Sequence, residues 1–231
     1  MSLRLGIDTG GTFTDAVLVD DNKRIASAEK SLTTRFDLSL GIGDVIAKLP
    51  ADALADVTMV SLSTTLTTNS VVEDLGAPVC VLLPGYTDEQ VKQSGLLDIL
   101  PAQLVVILEG GYDAVGREHK PLDEDRARTA IEKLKQQVSA FAISSMFGTR
   151  NSSHEIRIKR LVTELTDMPV ICGHELASNL GAPRRALTAA LNARMVPPIR
   201  ELITSVQKIL ARHDIDAPLM LVKGDLSLIH I

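Results

Sequence analysis

The sequence predicts an α/β fold, a mixed β-sheet with helices packed on it. Three observations predict it. Apolar side chains alternate through three consecutive strand patterns at the amino end, and helical and strand patterns then follow one another down the rest of the chain. The composition is 45% hydrophobic with four Phe, two Tyr and no Trp, which fits a core of Val, Ile, Leu and Ala. The order βββ-α-β-α-β, followed by further helices and strands, is not strictly alternating, and so points to a mixed sheet. At 231 residues the chain can bury a substantial core in one large domain or two small ones.

Leu3, Leu5 and Ile7 lead into Gly10-Gly11, and Phe13, Val17 and Val19 lead out, so residues 3–19 read as a β-hairpin. Residues 24–32 supply a third strand. Residues 37–49 form a helix, capped by Asp37 and stopped by Pro50. Residues 57–63 are a strand, Thr64 to Asn69 open a helix that ends at Gly76-Ala77-Pro78, and residues 78–83 are a buried strand. Residues 88–94 read as a short helix, and residues 104–108 are an apolar run. Residues 110–121 are turn or loop. A helix over 123–138 has acids in its first turn and lysines near its end, in accord with the helix dipole. Residues 140–146 form a strand. Ser152 and Glu155 have capping-box spacing at the start of the next helix. A short strand over 169–172 precedes a long helix over 183–212, broken or bent at Pro197-Pro198, and residues 219–222 begin another strand.

The chemistry gathers at the hairpin turn. Gly10 and Gly11 let backbone N–H groups approach a ligand closely, Thr9, Thr12 and Thr14 add hydroxyls, and Asp8 and Asp15 bracket the bend. Such a turn suits a polyphosphate with its Mg²⁺: the donors hold phosphate oxygens and an acid holds the metal, directly or through water. The bland alternative is a plain hairpin whose threonines are strand formers. A second set, Thr64, Thr65 and Asn69, lies where a strand passes into a helix. Hydroxyls, an amide and unbonded N–H groups collect there, which favours an anion or a polar carbonyl, although simple capping uses the same residues.

Other chemistries find no support. A formal charge of −5 argues against nucleic acid as a partner. No run of about 18 apolar residues exists to span a membrane. The start runs directly into a strand, leaving no room for a signal peptide. Cys80 and Cys172 lie in apolar runs and read as core thiols, so a cytoplasmic location is expected. His154-Glu155 lacks the second histidine of a zinc helix motif, since position 158 is Ile158, and a helix-start acid explains it.

Asp8-Thr9-Gly10-Gly11-Thr12-Phe13-Thr14-Asp15 resembles the first phosphate motif of the hydantoinase/oxoprolinase family, within the fold group of sugar kinases, actin and heat-shock ATPases. Residues 62–73, 151–161 and 184–198 resemble later segments of that family in order. Leu62-Ser63 stands where the family often has His-Gly, so any role of that His is absent here. The last of these segments reads as structural, with Asn192 a hydrogen-bond bridge between lobes. The resemblance implies a ribonuclease-H-like mixed sheet, the actin-like ATPase lobe, over residues 1–180. Residues 181–231 would then begin the next domain, with a long helix leading into an incomplete second lobe. Where relatives continue after a Val-Lys-Gly-Asp-Gly segment, Leu226 follows Asp225 here, so the chain is expected to be truncated and inactive alone. Implied too are ATP and Mg²⁺ as cofactors, hydrolysis of a cyclic amide such as hydantoin or 5-oxoproline, and a second hydantoinase subunit or a homo-oligomer. A kinase of the same fold group and a non-enzymatic ATP switch are the alternative classes. Asp8 would be the metal ligand and catalytic acid group, Thr9, Gly10, Gly11, Thr12, Thr14 and Asp15 would surround the nucleotide, and Thr64, Thr65 and Asn69 would face the substrate.

Overall fold

The computed structural model describes residues 2–64, 76–176, 178, 181–222 and, for the backbone, 228–230. The described residues are mixed α/β, as expected, and divide into two compact units. One holds Met1–Glu73 with Ile199–Ile231, the other Asp74–Pro198.

In the first unit, β1 (Leu3–Thr9), β2 (Phe13–Asp20), β3 (Ile25–Leu32), β4 (Val57–Thr64), β9 (Leu219–Val222) and β10 (Leu228–His230) form a mixed sheet in the order β10-β9-β4-β1-β2-β3. β1 pairs antiparallel with β2 and parallel with β4. Alternation sends Leu3, Leu5 and Ile7 inward, where they meet Ile42, Val45 and Ile46 of the helix Leu38–Ala47. That helix starts where expected, because Asp37 accepts the Ser39 N–H at 3.0 Å. Leu202, Val206 and Leu210 belong to the same core.

In the second unit, β5 (Val79–Pro84), β6 (Val105–Leu108), β7 (Ala140–Ile143) and β8 (Val170–Cys172) form a parallel sheet in the order β6-β5-β7-β8. Both faces are covered, which explains the unbroken apolar run of β5. Cys80, Leu82, Phe141 and Ile143 pack on one side with Ile131 of the helix Glu124–Leu134 and Ile158 and Val162 of the helix Ser153–Leu165. On the other side Val79, Val81, Ala140 and Ala142 meet Ala186, Ala189, Ala190 and Ala193 of the helix Ala182–Arg212. Small residues on both partners let that helix lie close to the strands.

Two local expectations differ from what the chain does. The Ser152 side chain makes no capping bond; Asn151 Oδ1 accepts the Ser153 N–H at 3.1 Å instead, and Glu155 turns inward. Of the break or bend expected at Pro197-Pro198, the break does not occur, and the helix Ala182–Arg212 continues through both prolines. Pro198 cannot donate to the Arg194 carbonyl four residues back, and the Ala77 N–H takes that acceptor at 3.0 Å. Asn192 Nδ2 donates to Thr188 O at 2.8 Å, within its own helix.

Candidate functional site

The hairpin between β1 and β2 pairs Asp8 with Asp15 and Thr9 with Thr14. The turn closes through the Gly10 N–H, which donates to Phe13 O at 3.0 Å. Among the described residues the Gly11 and Thr12 N–H groups have no acceptor. Strand alternation then divides the polar residues between two faces. Asp8 is exposed and Asp15 half-buried on the open face, while Thr9 and Thr14 are 1% and 0% exposed on the core face.

The buried Thr14 helps hold the turn from beneath. Thr14 Oγ1 and Thr33 Oγ1 are 2.9 Å apart, Thr33 N–H donates to Thr12 O at 2.9 Å, and Arg35 Nε–H donates to Gly11 O at 3.2 Å. The segment after β3 is thus stitched to the turn at three points. Gly41 lets the following helix approach, because a Cβ there would stand 2.9 Å from Leu32 O and 3.2 Å from Thr14 Oγ1.

On the open face, Ser63, Asp8, Asp15 and Lys30 stand in register across β4, β1, β2 and β3. Lys30 Nζ lies 3.0 Å from Asp15 Oδ1 and 5.0 Å from the centre of the Phe13 ring. Sequence reasoning did not find Lys30, because its nearness to Asp15 follows from the β2–β3 register and not from any motif. Thr64 ends β4 opposite Thr9. Thr65 and Asn69 lie outside the described residues. The turn therefore combines an exposed carboxylate, two unbonded N–H groups and the exposed Thr12, a donor set that accepts a polyanion beside a metal ion.

A second polar cluster occupies the C-terminal ends of the parallel strands in the other unit. Strand order reverses between β5 and β7, the position where open α/β sheets commonly take ligands. There the Tyr86 hydroxyl donates to Ala182 O at 2.7 Å and meets Ser144 Oγ at 2.9 Å. Burial, foremost, pushes the Tyr86 hydroxyl up to about 12. Arg185 donates to Ser145 O at 2.8 Å, and Ser145 N–H donates to Glu155 Oε1 at 2.8 Å. Glu155 Oε2 accepts from His174 N–H at 3.0 Å and from the ring Nδ1 at 2.7 Å. The fully buried His154 accepts the Gly111 N–H on Nδ1 at 3.0 Å, leaving Nε2 to bind Glu118 at 2.7 Å. A cleft of about 550 Å³ opens nearby, lined in part by Gly85, Thr87, Glu109, Lys120 and Arg126.

Residues 4–166 match the hydantoinase/oxoprolinase N-terminal region. The chain is 31% identical over 227 residues to caprolactamase subunit alpha of Pseudomonas jessenii, covering 88% of this chain and 32% of that one. It is 28% identical over 224 residues to the acetophenone carboxylase gamma subunit of Aromatoleum aromaticum, covering 82% and 30%. Among solved structures, the ATP-dependent caprolactamase of Pseudomonas jessenii superposes with a TM-score of 0.81 at 28% identity, over 97% of this chain and 36% of that one. Nucleotide-free acetone carboxylase, described for ATP-dependent acetone carboxylation, has a TM-score of 0.76 at 20% identity over 99% and 37%, a likeness of fold. The chain spans about a third of the length of the curated relatives it matches.

Proposed function

The chain belongs to the hydantoinase/oxoprolinase family, and from that membership we propose that it forms the phosphate-binding part of an ATP-dependent hydrolase of cyclic amides. Its relatives include an ATP-dependent caprolactamase and a subunit of a carboxylase. The ring substrate belongs to the hydantoin or 5-oxoproline class. The observation that carries the reading is the exposed Asp8 beside the unbonded Gly11 and Thr12 N–H groups.

That donor set fits Mg-ATP. When bound, the nucleotide supplies a transferable phosphoryl group, which makes an amide carbonyl a better electrophile for water. Asp8 would hold the metal directly or through water, with Asp15 tempered by Lys30 beside it. The Gly10–Thr12 backbone and the Thr12 hydroxyl would hold phosphate oxygens, and electrostatic positioning by these groups would carry most of the rate. Thr9 and Thr14 lie on the core face, where Thr14, through Thr33, would hold the turn in shape. Thr64, with Thr65 and Asn69, would form the polar wall that receives the carbonyl.

Residues 1–180 serve as the ribonuclease-H-like lobe and residues 181–231 as the start of the following domain. The chain covers about a third of its relatives, so turnover is assigned to an assembly containing the remaining parts, including a second subunit or a further copy. On that reading the 231-residue chain alone would be inactive. Two buried free thiols support a reducing, cytoplasmic setting. Among the described residues no helix is long and apolar enough to cross a membrane.

The test is phosphate release from Mg-ATP by the longest natural polypeptide carrying this sequence, with its partner subunit, in the presence and absence of hydantoin, 5-oxoproline or caprolactam. Release that needs a ring amide, and disappears in Asp8→Ala, supports the proposal. Release indifferent to every ring compound rejects it and favours a kinase acceptor or a nucleotide switch.

A further inference from the structure

Glu155, Cys172 and His174 come together at the C-terminal end of β8, and each contributes a metal-ligating atom within 4.8 Å of the others. Glu155 sits in the first turn of the helix Ser153–Leu165, while Cys172 closes β8 and His174 is the second residue of the short helix Gly173–Leu176. Glu155 and Cys172 are fully buried, whereas the His174 side chain is 20% exposed. We propose that these three residues form a binding site for a borderline-soft divalent cation of the Zn²⁺ class, with a water molecule in the fourth position.

The ligand chemistry selects the ion. Thiolate, imidazole and carboxylate together suit Zn²⁺ or Co²⁺, whereas Mg²⁺ and Ca²⁺ prefer oxygen ligands throughout. In a tetrahedral zinc site with bonds of about 2.0–2.3 Å, neighbouring ligand atoms lie about 3.4 Å apart. The Glu155 Oε2 to His174 Nδ1 separation is 2.7 Å and no pair of ligand atoms exceeds 4.8 Å, so shifts of about an ångström assemble the site. Charge balances as well. A thiolate and a carboxylate neutralise a dication, and the thiol proton leaves to solvent when the metal–sulfur bond forms.

The surroundings orient the carboxylate and leave an approach. Glu155 Oε1 is fixed by the Ser145 N–H, and the His174 backbone N–H holds Oε2, so the carboxylate stays in place if the imidazole ring turns from hydrogen bond to metal. The Lys159 ammonium is bound to Glu175 at 2.6 Å, and so is turned to that acid. The partly exposed His174 marks the side from which an ion enters and where water completes the shell. Cys172, Gly173 and His174 are contiguous, yet the third ligand lies 17 residues earlier than Cys172, outside any short metal motif.

Cobalt substitution tests the site in the 231-residue chain. Co²⁺ added to the metal-free protein should produce one equivalent of tetrahedral cobalt with a sulfur-to-cobalt charge-transfer band. The band should persist in Cys80→Ser, vanish in Cys172→Ser, and need at least tenfold more cobalt in His174→Gln. Zn²⁺ at about 100 times its Kd should raise the thermal midpoint by about 5–10 °C. A wild-type protein with no charge-transfer band and no zinc-dependent midpoint overturns the proposal, and leaves the cluster as hydrogen bonds alone. The Cys80→Ser spectrum decides the sulfur assignment even where Cys172→Ser does not fold: a band lost in Cys80→Ser overturns it. The readout is independent of any ATP-linked activity.

Discussion

Asp8 and Asp15 stand opposite each other across β1 and β2, on the open face of the sheet, and Lys30 binds only the second. Two carboxylates side by side attract a cation, and Lys30 leaves Asp8 as the acid without an ion pair among the described residues. Asp8→Ala should therefore reduce ring-amide-dependent phosphate release by at least about 100-fold, in line with losses at charge-stabilising positions. Because Asp8 is exposed, stability should stay within about 0.5 kcal/mol of wild type. Urea denaturation beside the phosphate assay checks both halves.

Thr14→Val should behave in the opposite way. The hydroxyl is buried against Thr33, so its loss should cost about 1 kcal/mol of stability. Affinity for Mg-ATP should move less than about threefold, since Val keeps the shape of the core face and a shift of that size is under 1 kcal/mol. A calorimetric titration showing a tenfold or larger loss would instead make Thr14 a direct ligand.

Much of the fold and part of the site were legible in the sequence. Leu3, Leu5 and Ile7 alternate because one face of β1 is buried, and the continuous run of β5 reflects helices on both faces. The Gly-Gly turn and Asp8 were visible as a motif. Lys30 was not, because register places it. Glu155 looked like a capping acid, since Ser152 precedes it at the usual spacing, and only the packing of β8 beside β7 brings Cys172 and His174 to it. Strand alternation by itself could have separated the core-facing Thr9 and Thr14 from Asp8.

Gly85→Ala is expected to damage the second unit. The Gly85 φ is +78°, and a Cβ would lie 2.7 Å from the Gly111 Cα, a backbone atom that cannot swing aside. Left-handed strain alone costs about 1–3 kcal/mol, and the collision adds to it. The thermal midpoint should fall by about 5 °C or more. A change under about 1 °C would mean that the turn after β5 adjusts easily.

The thiols should be chemically quiet in the folded, metal-free protein. Burial pushes Cys80 up to about 12, and burial with the neighbouring Glu155 and Glu175 carboxylates does the same to Cys172. At pH 8 only a minute fraction of either is thiolate, the reactive form. An aromatic disulfide reagent should label neither at a rate above that of global opening, and both rapidly in denaturant. Fast labelling of one residue under native conditions would show local opening there.

The bond from Ala77 to Arg194 gives Pro198 an unusual consequence. Arg194 grips the segment before β5 twice over: its carbonyl holds the Ala77 N–H, and its guanidinium donates to Gly76 O at 3.3 Å. A residue with an N–H at position 198 would compete for that carbonyl. Replacing the proline with alanine, the strongest helix former, would thus tighten the helix at the expense of the strand's entry. Here the poorest helix former acts as a reservation, keeping one acceptor for a distant part of the chain.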